Sequence, residues 1–247
     1  MTQKTRPSET TLIVARHGNT FEKGDVILRV GARTDLPLTA EGRAQGRRLG
    51  TKLAELGLRP TAFYSAPLRR ALETSSEIAS AQGVNAEPIV ENFLTELDYG
   101  VDDGRPESEV ARRLGALELA ISETPTPPSR ANEPLEVVDL SPEAIETAGL
   151  TALKRWDAEK RLPLGWFFLR ERVARLGDDW RAFAARIVER HSGETVVATT
   201  SNGIARFATA ILPPDAPLPE KLKLATGAFG VFVWNGESWR LDAWNIR

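Results

Sequence analysis

Residues Leu12-Ile13-Val14-Ala15-Arg16-His17-Gly18-Asn19-Thr20 restrict the fold more than any other stretch of the chain. A short apolar run rich in β-branched residues stops at Arg-His-Gly, which reads as a buried strand ending in a tight turn. Such a strand carries one imidazole at its carboxyl end, beside a guanidinium. Ligands of open α/β sheets collect at that edge, and a glycine after the histidine lets a substrate approach the backbone closely. The plainer alternative is a surface turn with an Arg-His pair that arose by chance, because three-residue motifs recur.

The stretches that follow repeat a strand, turn and helix pattern, which predicts a mostly parallel sheet. Residues 21–35 form a polar connection punctuated by Gly24 and Gly31 and read as a loop after the first strand. Thr39 can cap a helix in which Leu49, Leu53 and Leu56 recur at helical spacing before Gly57 stops it. Thr61 to Ser65 reads as a second buried strand, with Pro67 at the start of an amphipathic helix running through Ile78. Arg69 and Arg70 are adjacent on that helix and point about 100° apart, so only one of them can face a pocket. Pro125-Thr126-Pro127-Pro128-Ser129 is too proline-rich for helix or central strand. Helical patterns flank it, with Val110, Leu114, Leu117 and Ile121 before it and Val173, Leu176, Trp180, Ala184 and Ile187 after it. Residues 105–180 therefore read as a helical insertion over the sheet edge. Within them Trp156, Trp166, Phe167 and Phe168 read as packing or as the lining of a substrate cavity, packing being the commoner role of such aromatics. Glu194 to Thr200 is a further buried strand, turned by Ser201-Asn202-Gly203 into a helix near Ile204, and Asn235-Gly236 joins two aromatic-rich strands as a hairpin at one sheet edge.

A chain of 247 residues with 41% hydrophobic content can bury a full core, and a single domain with an insertion is the expected organisation. Its formal charge of −2 offers no general attraction to polyanions, so nucleic acid is not an expected partner and any basic site must be local. The absence of cysteine excludes disulfides, thiolate catalysis and zinc-thiolate sites. Neither a signal core at the start nor an apolar run of the ~18 residues that cross a bilayer is present, so a cytoplasmic protein without membrane contact is expected. A homodimer stays open.

Four motifs stand in one order: Arg16-His17-Gly18-Asn19-Thr20; Asp35-Leu36-Pro37-Leu38-Thr39 with Gly42; Ser65-Ala66-Pro67-Leu68-Arg69-Arg70-Ala71 with Thr74; and Leu94-Thr95-Glu96 with Gly100. Together they resemble the histidine phosphatase superfamily, whose fold is phosphoglycerate-mutase-like. The resemblance is good over residues 10–100 and 194–210 and poor between them. It implies an α/β three-layer sandwich with a mostly parallel central sheet and helices on both faces. It further implies His17 as nucleophile, Glu96 as proton donor, and Arg16, Asn19, Arg70, Ser201 and Asn202 as phosphate-binding residues, with no metal and no cofactor. The family pattern selects Arg70 over Arg69.

The chemistry suits those residue types. A neutral histidine can attack phosphorus through one ring nitrogen if the other donates its proton to a fixed acceptor. Guanidinium forks bind phosphate oxygens in a bidentate way, and the leaving alkoxide needs a proton. Around Glu96, the carboxylates Asp98, Asp102 and Asp103 also read as a hard-metal site, although no further carboxylate motif at ligand spacing supports it. Two positions depart from the family. Lys23 stands where an asparagine is usual, and reads as a solvated loop residue or as a point-charge phosphate contact. Thr200-Ser201-Asn202-Gly203 stands where relatives carry a second histidine, so Ser201 supplies a hydroxyl without positive charge. The other histidine, His191, precedes a Ser-Gly turn and reads as a surface residue. Hydrolysis of a small phosphomonoester is the leading expectation. A mutase returning the phosphoryl group to another hydroxyl, and an anion-binding protein that has lost turnover, are the alternatives.

Overall fold

The computed structural model describes residues 9–122 and 140–247. Six strands, β1 (Thr10–Arg16), β2 (Pro60–Ser65), β3 (Ile89–Val90), β4 (Thr195–Thr200), β5 (Phe229–Trp234) and β6 (Trp239–Ile246), form one sheet in the order β3-β2-β4-β1-β5-β6. The first four in that order are parallel, while β5 and β6 add an antiparallel edge. The edge hairpin closes through four residues, with Asn235 Oδ1 accepting from the amides of Glu237 and Ser238 at 2.9 Å each. Strand β4 returns from far along the chain to lie between β1 and β2, and Arg16 pairs with Thr200 at the shared carboxyl edge. The segments after β1 and β4 therefore leave the sheet side by side.

Alternation along β1 builds the two outer layers. Ile13 and Ala15 share a core with Leu49 and Leu53 of α1 (Ala40–Glu55) and with Ile78 and Ala79 of α2 (Arg69–Ala81). Leu12 and Val14 face the opposite layer, where α5 (Arg170–Arg190) buries Leu176, Trp180, Phe183 and Ile187. Full burial of side chains of this size stabilises by roughly 1.5–3 kcal/mol each, which fixes the register of β1 because a slip of one residue would exchange its faces. The same layer includes α3 (Glu107–Ser122) and α4 (Pro142–Glu159), through Val110, Leu114 and Trp156. A short helix, α6 (Asn202–Ala205), follows β4 and is tied to α5 by the Trp180 indole N–H, which donates to the Ile204 carbonyl at 3.0 Å.

Thr39 caps α1 through a 3.0 Å bond from the Gly42 amide. Gly42 matters for a second reason: a Cβ there would lie 2.2 Å from the Asn19 carbonyl oxygen, and one at Gly18 would lie 2.3 Å from that of Gly42. The loop after β1 is thus pressed onto the first turn of α1, which explains why the spacing from Thr39 to Gly42 accompanies the Arg-His-Gly turn.

Several local expectations need correction. Pro67 lies outside α2, which begins at Arg69 with Leu68 as its cap. The helix after β4 begins at Asn202, not near Ile204, and lasts four residues. Helix α4 has no counterpart in the sequence reading; Ser141 caps it, accepting from the Ala144 amide at 3.2 Å. His191 is half-buried, not a surface residue. Its Nε2 pairs with the Tyr64 hydroxyl at 3.0 Å and its Nδ1 with Glu194 at 3.1 Å, at the amino edge of β4 and so opposite His17. The four insertion aromatics divide, since Trp156 and Trp166 are buried whereas Phe167 and Phe168 are exposed. Pro125 to Ser129 lies outside the described residues. No described helix is long and apolar enough to cross a membrane.

Candidate active site

His17 follows β1 directly and is held at both ends of its peptide: its amide donates to the Thr200 carbonyl at 3.0 Å, and its carbonyl accepts from the Gly227 amide at 3.1 Å. The ring is oriented by Nδ1, which lies 2.7 Å from the Gly18 carbonyl oxygen. A carbonyl can only accept, so Nδ1 carries the proton and Nε2 presents a lone pair. Burial pushes the imidazole well below its ordinary value of 6.5, and the positive charges of Arg70 and Arg16 act in the same direction. At neutral pH the ring is a neutral base with one nucleophilic nitrogen.

A cavity of about 890 Å³ opens over this ring, and Arg16, His17, Asn19, Glu96, Asn202 and Gly203 contribute to its wall. Arg16 donates through Nη1 to the Leu224 carbonyl at 2.7 Å, while its buried Nε finds no acceptor among the described residues. Glu96 is fixed by both oxygens: Oε1 accepts from the Leu97 amide at 2.8 Å, and Oε2 from the Gly203 amide at 2.9 Å. Asn202 accepts from the Leu224 amide at 3.0 Å, and Asn19 lies against Gln45, whose side-chain oxygen accepts from its amide at 2.8 Å.

Arg70 and Ser201 lie beneath this wall and do not line the cavity. Arg70 is fully buried, and its Nη1 and Nη2 donate to the carbonyls of Thr34 and Gly31 at 2.8 and 3.1 Å. Its Nε donates to the Ser201 hydroxyl at 3.4 Å, a long bond. Arg70 is thus spent on the loop after β1, although its charge acts on His17. Arg69 points outward and pairs with Glu73. Lys23 is exposed at the rim of the cavity.

The carboxylates near Glu96 do not converge. Asp102 is fully buried and accepts from Arg113 and from the Trp166 indole, the latter at 2.7 Å. Asp103 accepts from the amides of Gly31 and Arg33 at 3.2 and 3.1 Å and from the Thr34 hydroxyl. Asp98 accepts from the Gly100 amide at 2.8 Å. Each carboxylate holds its own segment of backbone or side chain.

Two further cavity residues escaped the sequence reading. Arg206 follows α6 and is fully buried in the wall, and Arg29, from the loop after β1, lies over the rings of Tyr99 and Trp166. The signal for Arg206 was an arginine inside the apolar run Ile204-Ala205-Arg206-Phe207-Ala208, where a charge has no reason to be unless it is needed.

Comparison with known proteins matches residues 12–148 to the model of the histidine phosphatase superfamily, branch 1. A 2,3-bisphosphoglycerate-dependent phosphoglycerate mutase of Nocardia farcinica is 32% identical over 126 residues, covering 49% of this chain and 51% of that protein. The chain spans about half the length of the curated mutases it matches in this way. Phosphoglycerate mutase-like protein 4 of Arabidopsis thaliana is 25% identical over 234 residues, 94% of this chain and 84% of that one. A mycobacterial glucosyl-3-phosphoglycerate phosphatase, solved with VO3, shares the fold with a TM-score of 0.62 at 20% identity, covering 98% of this chain and all of its own. The matched segment carries β1, α1, β2 and α2, together with the turn that bears His17 and the cavity residue Glu96, and with that match the chain belongs to branch 1 of the histidine phosphatase superfamily.

Proposed function

We propose that the protein hydrolyses a small phosphomonoester through a phosphohistidine at His17. The observation that carries this reading is the locked imidazole: Nδ1 is committed to the Gly18 carbonyl, which leaves Nε2 as a neutral nucleophile in a cavity shared with Arg16 and Glu96. In the first step Nε2 attacks phosphorus, the ester P–O bond breaks, and the protonated Glu96 carboxyl gives its proton to the departing alkoxide. In the second, the Glu96 carboxylate takes a proton from water, whose oxygen attacks phosphorus. The N–P bond breaks, and phosphate leaves with neutral His17 restored. Arg16 stabilises charge on the equatorial oxygens, and Arg70 adds long-range positive potential from beneath.

A second reading, an anion-binding protein without turnover, draws on Ser201 and Arg70. Ser201 supplies no charge to the transferring group, and both terminal nitrogens of Arg70 already serve carbonyls. A panel of phosphomonoesters separates the readings. Release of inorganic phosphate is the expected outcome. An isomeric ester without phosphate release would indicate a mutase, and phosphate or vanadate binding without any turnover would indicate the second reading.

A further inference from the structure

The cavity over His17 has an apolar part that the phosphoryl transfer does not use. The loop after β1 contributes Ile27, Leu28 and Val30 to its wall, and α4 contributes Leu150 and Leu153. Ile27 and Leu150 are 50% and 45% exposed and belong to neither core layer. Leu150 and Leu153 stand three positions apart and so project from one side of the helix. A single large apolar side chain at a surface needs no explanation, but several gathered into one concavity from separate parts of the chain mark a ligand site.

Both supports of this surface are fixed. The Ile27 carbonyl accepts from the Glu107 amide at 2.9 Å, the Arg29 amide donates to the Arg105 carbonyl at 2.8 Å, and the Arg29 carbonyl accepts from the Gly104 amide at 2.7 Å, while Leu28 bridges Pro106. Helix α4 lies so close to α3 that a Cβ at Gly149 would be 1.8 Å from the Ala111 carbonyl oxygen. The apolar surface is therefore in place before a ligand arrives, which lowers the ordering cost of binding. The charges around it largely compensate one another. Arg29 pairs with Glu107 at 2.7 Å, Lys223 pairs with Asp157 at 2.6 Å, and Arg206 has no exposed surface. Glu22, Lys23 and Lys154 are exposed, one acid against two amines. Away from Arg16 and Glu96, what the wall offers a leaving group is mainly apolar contact.

We propose that this surface binds the leaving group, so that the preferred substrates are phosphomonoesters of apolar alcohols rather than of polyols, sugars or hydroxy acids. The proposal rests on the phosphoester reading of the His17 site and adds to it the chemistry of the alcohol. Removing each methylene of such an alcohol from water favours binding, and a contact made along the whole reaction path raises kcat/KM.

The n-alkyl phosphates test it, because their leaving oxygens have nearly the same basicity and a longer chain changes little besides burial. For the wild-type chain, kcat/KM is expected to rise about two- to fourfold per methylene from ethyl to hexyl phosphate, about 15-fold or more in total. Glucose 6-phosphate, which replaces the alkyl chain by a hydroxylated ring of similar size, is expected to react no faster than ethyl phosphate. In the double variant Ile27→Asn, Leu150→Asn, at two exposed positions outside the core layers, the hexyl-to-ethyl ratio is expected to fall to within about threefold. Loss of rate on both esters with the ratio intact would give the two residues a structural role and overturn the proposal, as would a preference for glucose 6-phosphate. Ethylphosphonate and hexylphosphonate, whose P–C bond the transfer does not cleave, read binding to the wild-type chain alone. Hexylphosphonate is expected to bind more tightly and with a more negative heat-capacity change, the signature of apolar burial. Tighter binding of hexylphosphonate with no turnover of any ester would overturn the hydrolytic reading and support the subsite. Turnover of the esters without any dependence on chain length, in rate or in Kd, would overturn the subsite and leave hydrolysis standing.

Discussion

Replacing His17 with alanine is expected to lower phosphomonoesterase activity by at least about 10⁴-fold, to the background of the assay, because it removes the atom proposed to accept the phosphoryl group. No substitute is at hand, since the chain lacks cysteine and Ser201 lies beneath the cavity wall, with its hydroxyl accepting from Arg70. Folding should survive. The lost side chain makes one hydrogen bond, to the adjacent Gly18 carbonyl, whereas the peptide on either side is held by Thr200 and Gly227. Phosphate binding should survive as well, because Arg16 remains, and a ligand that binds only the native state raises the melting temperature by mass action. Steady-state rates on an aryl phosphate, together with thermal shift in phosphate, check both halves. Residual activity within about tenfold of wild type would remove His17 from the chemistry.

The other large effect is expected at Gly203. Its amide fixes Glu96 Oε2, and a Cβ built on it would lie 1.9 Å from Glu96 Oε1, far inside contact distance. Gly203→Ala must therefore displace the carboxyl group or shift the turn after β4. Misplacing a catalytic group by about 1 Å can cost on the order of 10²-fold, so kcat should fall by roughly 10²- to 10³-fold on an alkyl ester whose leaving oxygen needs a proton. An aryl phosphate needs that proton less and should lose about tenfold or less, because the acid then matters mainly in the hydrolytic step. Equal losses on both esters would mean that Gly203 shapes the cavity without placing the acid.

These sites were legible in the sequence to different depths. The run Leu12 to Gly18 announces a buried strand and its turn, since periodicity and the glycine are local signals, and β1 ends where that reading puts its end. The pairing of that turn with Ser201 was not local. It depends on β4 lying beside β1 across some 180 residues of chain, which only the sheet order shows. Arg69 and Arg70 differ in orientation for reasons of helix geometry, and the structure exposes Arg69 and buries Arg70 beneath the cavity wall that the motif expected it to face. The commitment of Arg70 to Gly31 and Thr34 could not be read in advance, because a loop's backbone carbonyls carry no sequence signature. Helix α4 has no counterpart in the sequence reading because two of its three buried positions, Gly149 and Ala152 beside Trp156, are small, and it packs closely because Gly149 and Gly115 admit the backbones of α3 and α4 to each other.

The account turns on a covalent bond between His17 Nε2 and phosphorus, and the direct measurement is mass spectrometry of protein quenched in base during turnover of an aryl phosphate. Base preserves a phosphorylated imidazole, and the peptide containing His17 should carry one phosphoryl group that acid removes and that His17→Ala does not acquire. Active protein that never accumulates phosphate on that peptide, even when hydrolysis of the intermediate is slowed by Gly203→Ala, would contradict the account.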